Sequence, residues 1–111
     1  MVKWNMAESP SIAIIIEDRP RLAPPLLKEL YGITGRSSVE LNSAILAGGD
    51  VYAAELFGND HVQVAPRLEK TAAFCERHGL VFRIEETYDG ETSQIDLATM
   101  RSILDAADEH R

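Results

Sequence analysis

The chain has one cysteine, Cys75, so no internal disulfide can be drawn, and three histidines scattered at 61, 78 and 110 show no metal-ligand spacing. No metal and no cofactor is expected. No apolar run approaches the ~20 residues that a membrane span requires. The first residues carry Trp4, Asn5 and Glu8 where a secretory signal would have an apolar stretch, so the cytoplasm is the expected compartment. No glycine grouping makes a phosphate-binding pattern; those at 32, 35, 48, 49 and 58 read as helix stops and turns. Dense Lys/Arg clusters are also missing, which argues against nucleic acid or an anionic membrane as partner.

What is present is one domain's worth of chain. Its 111 residues are 45% hydrophobic and 26% charged, enough for one core and too few for two. The net charge of −7 is unevenly placed. Residues 1–84 are nearly balanced. Residues 85–111 hold only Arg101 and Arg111 against eight acids, among them Glu85, Glu86, Asp89, Glu91, Asp96 and Asp105. An acidic tail of this kind is kept soluble by its charges, or it docks onto a basic partner.

Residues 1–10 read as a loose lead-in. Ser11 to Asp18, Ser-Ile-Ala-Ile-Ile-Ile-Glu-Asp, is a β-branched run too short for a buried helix and predicts a central strand. Pro24 and Pro25 suit a first helical turn, with Leu26, Leu27, Leu30 and Tyr31 following. Ser37 or Ser38 caps a second helix through Val39, Leu41, Ala44, Ile45 and Leu46, stopped by Gly48-Gly49. Asp50 to Phe57 predicts a second strand. A third helix ends near His78, with Val64, Leu68, Ala72 and Cys75 on one stripe, and Pro66 places the start of its regular hydrogen bonding close by. Leu80, Phe82 and Ile84 alternate with Val81, Arg83 and Glu85 in a third strand.

After an Asp89-Gly90 turn and a linker, a fourth helix is expected from about Asp96. The expected fold is therefore a two-layer α/β domain of order β-α-α-β-α-β, a three-stranded antiparallel sheet with helices on one face. Residues 11–86 form this domain, and 87–111 form an acidic linker and extra helix. The bare sheet face would show Ala13, Ile15 and Val81. The stripe of Leu97, Met100, Ile103, Leu104 and Ala107 is expected to pack on its own domain, covering that strip, or on a second copy in a homodimer.

The run Leu27-Lys28-Glu29-Leu30-Tyr31-Gly32-Ile33-Thr34-Gly35, with Glu40 in the next helix, resembles the C-terminal domain of the bacterial ribosomal stalk protein. The later helix and strand, Val64 to Glu86, are similar too, and the ClpS adaptor shares the architecture with a similar helix around Val64-Ala65. The resemblance covers about residues 11–86 and implies a protein-binding, adaptor-like module. The stalk domain's lysine-rich second helix is matched here by Val39 and Asn42, with Ser37 and Ser38 adjoining. Of the ClpS site, which uses an Asn-Asp pair after the first strand and a later histidine, Asp18 survives within Glu17-Asp18-Arg19 and Leu46 stands at the histidine position.

Three candidate groups remain. Asn59-Asp60-His61 offers an acid beside an imidazole, the pair a general base requires, but a helix cap with Gln63 at the third position needs no partner and is preferred. Cys75 with His78 one turn on could be a nucleophile; its apolar stripe argues for a core thiol. Glu17 and Asp18 could hold a cation or a peptide amine. The reading that follows is a non-enzymatic protein-interaction module without catalytic residues, its partner contacts assigned to Glu17, Asp18, Leu97, Met100 and Leu104. The alternatives are an acidic inhibitor or immunity protein masking a basic toxin or nuclease, and a small enzyme using Asp60, His61 or Cys75.

Overall fold

In the structure, a computed structural model, residues 10–56 and 61–109 are described, with the side chains at 61, 62, 108 and 109 outside the description. The isoleucine run makes strand β1 (Ser11–Ile16), and it is central because it can bury both its edges and its apolar face. β1 pairs antiparallel with β2 (Asp50–Glu55) on one side and with β3 (Phe82–Tyr88) on the other. A fourth strand, β4 (Glu91–Ile95), pairs antiparallel with β3, giving the order β2-β1-β3-β4.

The register decides which face is buried. Ile14 lies across from Tyr52 and Ile84, and Ile16 from Phe82. These residues and Ile12 therefore share one side of the pleat, and Ile12, Ile14 and Ile16 are all fully buried in the core. A register shift between Ile14 and Ile15 leaves Val51 as an extra residue in β2, and it too is buried in the core.

The expected three-stranded sheet and the expected order of elements are both corrected by β4. Asp89 (φ 53°) and Gly90 (φ 77°) adopt consecutive left-handed conformations, the geometry of a tight two-residue hairpin turn. That turn returns the chain along β3, with Tyr88 across from Glu91 and Ile84 across from Ile95. The Thr87 and Thr92 hydroxyls meet at 2.8 Å across the pair. Residues 91–94 are exposed and polar, so their sequence carries no apolar alternation. Backbone pairing to an existing strand makes them β, and the chain reads β-α-α-β-α-β-β-α.

Helix α1 (Pro24–Thr34) starts on its two prolines, and α2 (Ser38–Ala47) starts on a capping box. The Glu40 backbone N–H donates to Ser37 Oγ at 3.1 Å, and the Ser37 N–H donates back to the Glu40 carboxylate at 3.3 Å. Helix α3 (His61–Arg77) buries Val64, Leu68, Ala72 and Cys75, the stripe read from the sequence, together with Phe74. It begins at His61, so Pro66 stands inside it instead of marking its start. The C-terminal end of α1 is held by α3: Arg67 donates to the Thr34 carbonyl at 3.0 Å.

Helix α4 (Leu97–Glu109) packs on its own domain, with Met100, Leu104 and Ala107 in the same core cluster as Ile14, Ile84 and Phe74. Arg101 Nε reaches Glu69 of α3 at 3.1 Å. This places α4 beside α3 on the helical side of the sheet. The expected strip of Ala13, Ile15 and Val81 is not bare along its length: Ile15, across from Arg83, is buried at 4% exposure although outside the main cluster, and Val81 is 58% exposed just ahead of β3. β4 and α4 thus supply an edge strand and part of the core.

Candidate protein-interaction groove

A groove of about 530 Å³ opens between the chain entering α1 and the first two turns of α2. One wall is apolar: Leu22, Pro24 and Leu27. The other is Val39, with the polar groups of Ser38, Asn42 and Ser43 beside it. Local structure explains why apolar surface is left here. The capping box starts α2 at Ser38, which points Leu41 and Ile45 into the core and fully buries both. Val39 then falls on the opposite stripe, 77% exposed, with Leu46 two turns further along the same side and 39% exposed. A β-branched residue so open to water in the first turn of a helix contributes nothing to the domain's own packing.

The charges around the groove are ordered. Among the described residues its one charged lining residue is Arg21, which is exposed. Glu40, next to Val39, is engaged by the Ser37 N–H and lies 4.0 Å from Arg36 Nε. Arg36 in turn donates to the Asp50 carbonyl at 2.7 Å. Arg19 turns to the far end of α2, where its guanidinium lies over Gly48. Smaller depressions lie elsewhere among the described residues. One, of about 430 Å³, lies where β3 and β4 meet the start of α4, between Phe82, Ile84, Ile95 and Leu97. Two more, each of about 320 Å³, follow the seam of α1 and α3 beside Ile33 and Lys70.

The residues singled out from the sequence are dispersed. Glu17 and Asp18 are exposed at the exit of β1, where the Glu17 N–H donates to the Val81 carbonyl at 2.7 Å. Leu97 is half-buried at the start of α4, whereas Met100 and Leu104 face inward and are spent on the core. Met100 and Leu104 are thereby removed from the expected partner-contact set, because their apolar surface is already covered. Asn59 and Asp60, with the side chain of His61, lie outside the described residues.

Cys75 is fully buried, and its thiol is pushed up to about 12 by burial first and then by the negative charges of Asp18 and Glu76. It holds its proton throughout the neutral range, which is the opposite of what a nucleophile requires. The His78 ring packs on Phe74, with centroids 4.7 Å apart, and its Nε2 lies 3.3 Å from Glu29 Oε1. Arg77 pairs with the other oxygen of Glu29. These groups tie the end of α3 to α1.

Among the described residues no group of three or more His, Cys, Asp or Glu side chains is placed to hold a metal ion. No described helix is long and apolar enough to cross a membrane. Arg21, Leu22 and Val39 were not singled out from the sequence as site residues. A signal was available in α2, whose apolar residues fall on two stripes, Leu41/Ile45 and Val39/Leu46, more than one buried face accommodates. Comparison with protein-family models, with curated proteins and with solved structures finds no match to the chain.

Proposed function

We propose that the protein is a non-enzymatic, adaptor-like interaction module, acting in the cytoplasm, that holds a segment of another protein in the groove between α1 and α2. The observation that carries this reading is Val39, a large apolar side chain 77% exposed beside an apolar wall of Leu22, Pro24 and Leu27. An apolar floor with a few convergent polar groups is the usual make-up of a binding site. The resemblance to the stalk and ClpS domains agrees with a module of this kind, and as fold analogy it does not name the partner. The test is a pull-down with the wild-type chain, with Val39→Asp and with Val81→Asp. A bound protein lost only with Val39→Asp supports the reading, and equal capture by all three refutes it.

A second reading is favoured by the other end of the molecule. Arg83 and Arg101 are already paired, with Glu85 at 2.9 Å and Glu69 at 3.1 Å. Asp89, Glu91, Asp96 and Asp105 on β4, its turn and α4 stay exposed. This acidic surface suits an inhibitor that masks a basic toxin or nuclease, and it predicts association that weakens steeply with salt.

A further inference from the structure

We infer that the segment held between α1 and α2 is an acidic one, in which an apolar side chain inserts against Val39, Leu22 and Leu27 while a neighbouring Asp or Glu side chain pairs with Arg21. The inference rests on the groove being the interaction site and adds the chemistry of its occupant. Charge complementarity carries it. In a chain of net charge −7, the one charged residue among the described residues lining this groove is a cation.

The acid adjoining Val39 is already engaged: Glu40 is held by Ser37 and Arg36. A lysine or arginine entering beside Val39 would meet Arg21 without a carboxylate among the described lining residues to offset it, whereas a carboxylate there gains an ion pair at the rim. Because Arg21 is exposed, it reaches a side chain of a segment lying along the groove. Asn42 and Ser43, on the same side of α2 as Val39, offer donors and acceptors to the main chain of such a segment.

The test is selection of a displayed library of random ten-residue peptides on the intact protein, on Val39→Asp and on Arg21→Glu. Each variant is first checked for unchanged far-ultraviolet circular dichroism. The enriched peptides are then measured by fluorescence anisotropy. The expected result is a motif joining Leu, Ile, Met or Phe to Asp or Glu. Its binding is lost with Val39→Asp, and it weakens about three- to tenfold when the acid is replaced by Lys or when Arg21 becomes Glu.

Apolar peptides that depend on Val39 but show no acidic preference and ignore Arg21→Glu would overturn the inference and leave the groove as the interaction site. Enriched basic peptides that depend on Val39 would also overturn it. Peptides that bind Val39→Asp as tightly as wild type, or no enrichment at all, would overturn both the inference and the groove reading.

Discussion

The substitution Met100→Ala tests whether the C-terminal helix belongs to the domain. Met100 is fully buried and shares one cluster with Ile14, Ile84, Phe74 and Leu104. Truncating it removes three heavy atoms from a closed site, and such Met-to-Ala changes cost about 2–5 kcal/mol. With a urea dependence of about 1.5–2 kcal/mol per molar for a domain of this size, the unfolding midpoint should fall by roughly 1–3 M. Arg101→Ala is the matched control on the same helix. It removes only the half-exposed pair with Glu69, worth about 0–1 kcal/mol, so its midpoint should move by less than about 0.5 M. Both are read by circular dichroism in urea. A Met100→Ala midpoint indistinguishable from wild type, with the slope unchanged, would refute the argument and make α4 an independent arm.

Four further outcomes are expected. Gly48→Ala should destabilise by at least about 1–2 kcal/mol: its φ of +74° is left-handed, and the added methyl would sit 2.7 Å from Arg19 Nη2. Adding Arg19→Ala should recover the part due to that clash, as read from melting temperatures. Cys75→Ala should flatten the alkaline loss of stability. In wild type the unfolded chain releases this proton near pH 9 while the folded chain keeps it to about 12, so stability falls with rising pH between those values. The Thr99 side chain first, and then the Thr99 N–H that Asp96 accepts from at 2.7 Å, hold the Asp96 carboxyl below the usual value. Asp96→Ala should lower the melting temperature, and the wild-type advantage should fade as acid protonates the cap. Val39→Asp should leave the melting temperature within a degree or two of wild type, since the side chain is exposed, while removing partner binding.

Much of the local structure could be read directly because its causes are local. The Pro24-Pro25 start, the serine cap of α2 and the spacing of Val64, Leu68, Ala72 and Cys75 each act within one or two helical turns, and each appears where the residues place it. The isoleucines of β1 likewise mark a strand buried at the centre of a sheet. β4 was illegible for the opposite reason. Glu91-Thr92-Ser93-Gln94 has no apolar face to announce it and becomes a strand only because the Asp89-Gly90 turn lays it against β3.

The candidate site divides along the same line. That α2 is a helix with apolar residues at 39, 41, 45 and 46 follows from the chain alone. Which of them are buried does not, because a helix carrying two apolar stripes has two ways to dock. The packing of α2 against α1 and β2 selects Leu41 and Ile45 for the core, leaving Val39 and Leu46 outside. The same selection sets Arg21 and Leu22, remote in sequence from Val39, on the groove that Val39 lines. Local spacing therefore determined the elements other than β4, and long-range burial, which rewards only one of several compatible dockings, decided which side chains were left exposed.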